Sequence, residues 1–241
     1  FAGKETLEDG FSVHNIRGLE KELWTTTILQ LEFYHKTLDN MLTYRETRST
    51  VDEALGTNVR AIDFFVPTDG YSYGAELFLH KKYGRLAGWI GYTLNWARQT
   101  IEGEKFNASF DRRNNLDVLM SYDLGKNWRF SMQFNYGTGF PFTRVEGSYL
   151  EVDGSGLLPR RRLLYGDRFA FRLPAYHRLD FGFSKYFKWW SMDWRLDLQM
   201  INAYNRENVF FYEWDFDKNP AERTVIPMLP IVPSIGISTE F

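Results

Sequence analysis

Apolar side chains recur at every second position in two neighbouring segments, 116–123 and 128–136, which the turn-like sequence Leu-Gly-Lys-Asn separates. The apolar series of the second segment is Trp128, Phe130, Met132, Phe134 and Tyr136. Successive side chains of a β-strand point to opposite faces, whereas apolar residues of an amphipathic helix recur every three to four positions. The two segments therefore predict a β-hairpin with one apolar and one polar face. Its Tyr and Trp residues stand at strand ends, as on a membrane-facing surface.

Similar alternation predicts further strands along the rest of the chain, about nine in all. They cover 11–22, 25–34 with an extension towards Tyr44, 71–82, 86–97, 178–184, 194–201 with an extension towards Tyr212, and 231–241. The predicted connections alternate between short ones near residues 23, 84, 125 and 189 and long ones over 45–70, 99–109, 140–175 and 213–230. Transmembrane β-barrels have short turns at one end and longer loops at the other. The expected fold class is therefore all-β, an antiparallel transmembrane β-barrel.

Alternation alone does not decide which face points outward. A soluble antiparallel sandwich buries the same apolar face and exposes the same polar face to water. The predicted strands match the ~9–11 residues that cross a bilayer, and the chain ends on an aromatic residue, Phe241, within an apolar alternation. Both features favour the barrel, while the soluble sandwich remains the alternative.

Composition narrows the function classes further. Of 241 residues, 44% are hydrophobic and 18% aromatic, and the net charge is −2, so the chain is too apolar for disorder and has no basic field for nucleic acid. It has no cysteine, which excludes disulfides, thiolate metal sites and a cysteine nucleophile. No segment approaches the ~20 consecutive apolar residues of a transmembrane helix.

Candidate chemistry is sparse. The four histidines (His14, His35, His80 and His177) are scattered without metal-ligand spacing, and no phosphate-binding loop or serine-hydrolase motif occurs. The polar faces of the predicted strands carry Asp117, Arg129, Gln133, Arg178, Asp180, Arg195, Asp197 and Gln199. Carboxylates there are compatible with acid–base work, but a polar network lining a barrel lumen is the commoner arrangement. In the longest predicted loop, the cluster Arg160, Arg161 and Arg162, with Tyr165 nearby, is either a ligand site for anions such as lipopolysaccharide phosphates or a solvated basic loop.

Several short motifs, in order over residues ~70 to 241, resemble the barrel of TonB-dependent outer-membrane receptors. They are Tyr-Gly-Ala-Glu-Leu at 73–77, Gly-Tyr-Thr-Leu at 91–94, Phe-Asp-Arg-Arg-Asn at 110–114, Tyr-Gly-Thr-Gly-Phe-Pro-Phe-Thr at 136–143, Pro-Ala-Tyr-His-Arg-Leu-Asp at 174–180 and Asn-Ala-Tyr-Asn-Arg-Glu-Asn at 202–208. The terminal Phe241 resembles the family's C-terminal assembly signal.

The resemblance implies a 22-stranded barrel that encloses an N-terminal plug domain. About nine strands fit into this chain, and nothing in it resembles the plug or a TonB box. Bacterial single-chain barrels are even-stranded, so an odd count indicates a fragment. Residues 1–241 are therefore expected to be the C-terminal part of such a barrel, without the plug and the first strands, and Phe1 marks either a mature start or a fragment boundary.

The function that the resemblance implies is uptake of a scarce nutrient, such as a ferric siderophore or a glycan, across the bacterial outer membrane. Such a protein is not an enzyme and needs no cofactor. Its expected partners are outer-membrane lipids and lipopolysaccharide, the TonB complex through the missing plug, the barrel assembly machinery through the last strand, and a surface lipoprotein, but no nucleic acid. The alternative is a small complete barrel with protease, lipase or pore function, which predicts an even strand count and, for an enzyme, a catalytic set at one rim.

Overall fold

A computed structural model describes residues 9–44, 65–152, 160–216, 218 and 222–240, and this part of the chain is all-β. Nine strands hydrogen-bond side by side in one antiparallel sheet, in chain order. Their bounds are β1 Phe11–Trp24, β2 Thr27–Tyr44, β3 Phe65–Lys81, β4 Leu86–Ile101, β6 Asn114–Gly125, β7 Trp128–Gly137, β12 Tyr176–Trp189, β13 Met192–Ile201 and β16 Val232–Glu240. The predicted antiparallel sheet of about nine strands is thus confirmed.

Short strands fill the connections. β5 (Glu104–Asn107) pairs with the end of β4. The other short strands form three two-stranded sheets: β8 (Pro141–Phe142) with β11 (Phe171–Arg172), β9 (Val145–Glu151) with β10 (Arg160–Tyr165), and β14 (Val209–Asp215) with β15 (Glu222–Pro227). All of them lie at the end of the sheet opposite the short turns, which we call the long-connection end.

The strand register gives the sheet one apolar and one polar face. A straight row across six neighbouring strands is apolar throughout, and it consists of Leu29, Leu79, Ile90, Val118, Phe134 and Leu179. The row one residue towards the long-connection end lies on the other face, and it consists of Gln30, Phe78, Gly91, Asp117, Asn135 and Arg178. Because side chains alternate with a period of two, a slip of one residue would exchange the faces, so burial or lipid contact on either face fixes the register.

Two-residue turns close two of the hairpins at the short-turn end. Lys126 and Asn127 have φ of 51° and 63°, and Trp190 and Ser191 have φ of 49° and 60°. Positive φ at both central residues is the signature of a type I′ turn, whose twist matches that of the flanking strands. The short connections predicted near residues 23, 84, 125 and 189 are confirmed in position.

The structure differs from the predicted strands and loops in several places. β3 begins at Phe65, not 71, because 65–68 pair with 41–44 of β2 beyond a register shift, and β4 continues to Ile101, where it turns into β5. β13 stops at Ile201, and after a break of seven residues a separate strand, β14, includes Tyr212. Residues predicted as loops within 140–175 and 213–230 form hairpins. These segments lack strict alternation, since neither face of such a hairpin has to be uniformly apolar.

The sheet has almost no core of its own. Among the described residues, the one buried apolar cluster is Val66, Ile101 and Phe106, with Phe169 packed on it, at the long-connection end. In the middle of the apolar face, Leu198 is 42% exposed and Ile235 is 73% exposed. A single layer with an uncovered apolar face needs something outside the described residues to cover it.

Candidate functional site

The eight polar residues predicted to line a lumen all lie on the polar face. The register pairs Asp117 with Asn135 and Gln133 with Asp180, and it places Gly182 between Ser131 and Gln199. Gln133, Asp180 and Gln199 surround a depression of about 350 Å³ at Gly182. That this face lines a lumen stays a prediction.

These side chains are paired with one another rather than poised for chemistry. Arg178 donates to Asp180 at 2.8 Å, and Arg195 donates to Asp197 at 2.8 Å. Asp197 also accepts a hydrogen bond from the Ser184 hydroxyl at 2.6 Å. In each ion pair the two residues are two positions apart on one strand, so their charges neutralise each other. Such paired carboxylates are less available for acid–base chemistry than unpaired ones.

At the long-connection end, Asp111 is the centre of the tightest polar cluster. Its side chain is fully buried, with 0% exposure, and its carboxylate contacts the guanidinium groups of Arg98, Arg113 and Arg172. One carboxylate oxygen also accepts the backbone N–H of Ala97 at 2.7 Å. Since Arg172 belongs to the connection after β7, this carboxylate fastens that connection to the ends of β4 and β6.

Arg112 fastens the same connection one residue further on. Its Nε donates to the Thr138 carbonyl at 3.2 Å, and its guanidinium lies 4.3 Å from the centroid of the Phe140 ring. A Cβ on Gly137 would lie 2.5 Å from that guanidinium, and a Cβ on Gly139 would lie 1.5 Å from the Leu173 carbonyl oxygen. Burial lowers the pKa of Arg112, but a guanidinium stays charged at any pH that the protein meets. Close approach of the backbone therefore requires glycine at 139, whereas a side chain at 137 would have to displace the Arg112 guanidinium.

Asn202 organises the second cluster, where β13 ends. Its buried amide donates to the carbonyls of Arg206 at 2.9 Å and Leu229 at 3.0 Å and accepts the Arg206 N–H at 3.0 Å, while its own N–H donates to Asp180 at 2.8 Å. Asn208 similarly bonds both backbone groups of His177. The motifs at 174–180 and 202–208, which are far apart in sequence order, thus form one hydrogen-bonded unit.

Replacing Asn202 by Ala should destabilise this unit by about 2–3 kcal/mol, because two carbonyls and one N–H in a partly buried site lose their partners. Asn202 also has φ of 53°, where Ala is disfavoured. We expect protease cleavage within residues 203–231 of the folded full-length protein to become faster, as measured by limited proteolysis and peptide mapping.

Two further variants separate the causes. Asn202→Gly relieves the backbone conformation but removes the same hydrogen bonds, so it should be cleaved nearly as fast as Asn202→Ala. Asn205→Ala removes one hydrogen bond from the Ile231 N–H at the exposed side of the turn and should have a smaller effect. Equal cleavage rates for Asn202→Ala and Asn205→Ala would contradict the structural role of Asn202.

An apolar pocket of about 650 Å³ opens beside this unit. Its apolar lining is Tyr176, Phe210, Pro227, Met228, Leu229 and Pro230, with Arg178 and Asn208 at its polar side. Arg178 lies on the polar face, so the pocket adds an apolar site to that face at the base of the β14–β15 hairpin. Its size is in the range of small-molecule sites.

The remaining predicted site residues are more dispersed. Arg160, Arg161 and Arg162 belong to β10 and pair with Glu151, Leu150 and Tyr149 of β9, so they are part of a strand and not of a loop as predicted. Tyr165, at the end of β10, is exposed. Phe241 lies outside the described residues. Anion binding by the arginines and the assembly role of Phe241 stay predictions.

No group of three His, Asp or Glu side chains within the described ranges is arranged to hold a metal ion. Likewise, the part of the chain that the structure describes has no helix long and apolar enough to cross a membrane.

Sequence reasoning treated the motifs at 110–114 and 202–208 as marks of resemblance and did not identify Asp111 and Asn202 as buried hubs. The available signals were an Asp followed directly by two arginines and an Asn directly after a predicted strand. Comparison with known proteins adds no identification, since no protein-family model and no curated protein matches this chain.

Proposed function

We propose that this chain is the C-terminal part of a TonB-dependent outer-membrane transporter and forms part of its barrel wall. The observation that carries the proposal is the apolar face, which runs across the strands from β2 to β16 and is covered by nothing among the described residues. In a soluble sandwich a second layer would pack on such a face. Lipid covers it in a membrane-spanning sheet, and aromatic residues at both ends of the strands fit that environment.

The connections support the same placement. Two-residue turns lie at one end of the sheet, and every hairpin insertion lies at the other end. Outer-membrane barrels have short turns on the periplasmic side and long loops outside the cell. The long-connection end, with the Asp111 and Asn202 clusters and the apolar pocket, would then be the extracellular rim.

The two outer strands point to a larger barrel. Within the described residues, β1 and β16 each pair on one side only, and they do not pair with each other. A sheet in lipid must close, because unpaired backbone groups have no water to bond. Further strands, to a total of 22 as the motif resemblance implies, would supply the missing edges, and a plug would fill the lumen against the polar face.

In this proposal the chain contributes to capture rather than to energy coupling. The polar wall and the apolar pocket would bind part of a scarce nutrient such as a siderophore or glycan, and the plug with TonB would move it. The alternative, a small complete barrel with enzymatic or pore function, would need the described strands to close among themselves.

The test is the mass and the membrane behaviour of the native polypeptide. Membranes are washed with carbonate, the protein is extracted with detergent, and its mass is measured under denaturing conditions. We expect resistance to carbonate and a mass several-fold above 28.5 kDa. A carbonate-soluble protein would refute the membrane placement, and an integral protein near 28.5 kDa would favour the small barrel instead.

A further inference from the structure

Five side chains from two separate connections form a continuous series of contacts at the long-connection end. The Phe171 and Phe142 rings face each other across the β8–β11 ribbon, with centroids 6.2 Å apart. The series continues from Phe142 to Tyr212 of β14, whose ring centroid is 5.5 Å away. Guanidinium groups close both ends, since Arg144 lies 4.2 Å from the Phe171 centroid and Arg223 lies 4.4 Å from that of Tyr212. We call these five residues the aromatic ladder.

The two connections that the ladder joins are anchored to the main sheet separately. β11 is fastened by Arg172, whose guanidinium contacts the buried Asp111 carboxylate. The β14–β15 hairpin is fastened at its base, where the Met228 N–H donates to the Asn208 carbonyl at 2.7 Å. The ladder is therefore a bridge between two segments that have different anchors.

The β14–β15 hairpin also supplies one wall of the apolar pocket. Phe210 and Pro227 line the pocket at the base of this hairpin. The register shifts between Val209 and Phe211, which makes Phe210 the extra residue of a β-bulge, a feature that re-aims a side chain. Because Phe210 precedes Tyr212 by two residues on the same strand, a displacement of Tyr212 at the ladder is expected to displace Phe210 in the pocket wall.

We propose that the aromatic ladder couples the β8–β11 ribbon to the β14–β15 hairpin, so that the pocket wall opens and closes together with the ribbon. Separation of the two connections would break the contact between Phe142 and Tyr212, which come from different connections. These two side chains thereby act as positioning residues for Phe210. That the pocket serves ligand capture rests on the proposed function, whereas the coupling does not depend on what surrounds the sheet.

Hydrogen exchange of the full-length protein in detergent micelles, read by mass spectrometry of peptides, tests the coupling. The Leu173 N–H of the ribbon donates to the Phe140 carbonyl at 2.9 Å, so its exchange reports opening of the ribbon. Tyr212→Ala removes one aromatic pair and one cation–π contact, which together correspond to about a 10-fold change in an opening equilibrium. We therefore expect peptides that cover 140–151 and 166–173 to exchange about 10-fold faster, although residue 212 lies in the other connection.

The reciprocal variant and the double variant show whether the two rings act through one contact. Phe142→Ala should speed exchange in 209–215 and 222–227, which belong to the connection that it does not change. The double variant Phe142→Ala/Tyr212→Ala should speed exchange by less than the product of the two single effects, because residues in contact are not additive.

Two more variants separate coupling from local damage. Tyr212→Phe keeps the ring, so it should exchange like the unchanged protein in both connections. Trp214→Ala is the matched control, since Trp214 stacks on Phe216 within its own connection, with ring centroids 6.1 Å apart. It should speed exchange in the β14–β15 hairpin and leave the β8–β11 ribbon unchanged.

Three results would overturn the proposal: faster exchange confined to the connection that carries the substitution, fully additive effects of Phe142→Ala and Tyr212→Ala, or transmission by Trp214→Ala as strong as by Tyr212→Ala. Carbonate resistance of the same protein tests the proposed function separately. A carbonate-soluble protein with coupled exchange would refute the membrane placement and leave the coupling intact, whereas an integral protein with independent exchange would refute this inference alone.

Discussion

Replacement of Asp111 by Ala is expected to destabilise the folded protein by about 3 kcal/mol, since a buried N–H loses its acceptor and three guanidiniums lose their shared counter-ion. The affected N–H belongs to Ala97, and the guanidiniums to Arg98, Arg113 and Arg172. The arginines are each about 30% exposed and can turn to water, so the cost stays below that of a wholly buried charge network. Urea unfolding of the full-length protein in lipid vesicles measures the change.

Two variants control this prediction. Asp111→Asn keeps an acceptor for Ala97 but removes the charge, so its difference from Asp111→Ala separates the hydrogen bond from the ion pairs. Asp123→Ala removes a carboxylate that caps the exposed turn at Gly125 and should cost about 1 kcal/mol or less. If Asp111→Ala and Asp123→Ala unfold at the same urea concentration, Asp111 is not a structural hub.

Leu198→Arg is expected to cost about 2–4 kcal/mol in a bilayer, which is the penalty for Arg on the lipid face of a barrel near the membrane midplane. Leu198 stands between Phe183 and Ile235 on the apolar face. Its side chain is exposed in the isolated sheet, so the same substitution in water would cost little. The measurement is the free energy of unfolding of the full-length protein in vesicles.

Gln199→Arg is the matched control, since this neighbouring residue lies at the same height on the polar face and is exposed. It should change the free energy of unfolding by less than about 1 kcal/mol. Ser131→Arg, also on the polar face, should likewise cost much less than Leu198→Arg. Equal costs at positions 198 and 199 would mean that the apolar face does not contact lipid.

The Asp111 and Leu198 predictions test different features of the protein. Asp111→Ala tests how the long connections are held to the sheet, whatever surrounds the protein. The Leu198 and Gln199 pair tests the surroundings of the sheet and leaves the connections intact. If Asp111→Ala is destabilising as expected but Leu198→Arg and Gln199→Arg cost the same, the described fold is correct and the apolar face does not lie in a membrane.

Much of the main sheet follows from local pattern. The hairpin of β6 and β7 is predicted nearly to the residue because one face is apolar without interruption from Leu116 to Tyr136, and alternation has a single structural meaning. β1 is predicted less securely, since Arg17 and Asn15 share its face with Leu19 and Val13. Where the alternation is weak, as at 65–70 and 209–215, pairing with another segment decides whether a strand forms: 65–68 pair with 41–44, and 209–215 pair with 222–227.

The candidate site is less accessible to sequence reasoning. Alternation places Asp117, Arg178 and Asp197 on one face, but it does not show that Arg178 pairs with Asp180 and Arg195 with Asp197. The Asp111 cluster joins side chains as far as 61 residues apart in the chain. Such contacts depend on how the long connections fold back, which no period in the sequence encodes.

The sequence by itself determined the number of main strands, their two faces and the alternation of short and long connections, because strand geometry translates a period of two directly into sidedness. Only the tertiary structure decided which motifs meet, that Asp111 and Asn202 are buried, and that an apolar pocket forms at the long-connection end. The reason is physical. Sidedness is a property of each strand alone, whereas burial and hydrogen bonding of a polar side chain exist only once segments distant in the chain have come together.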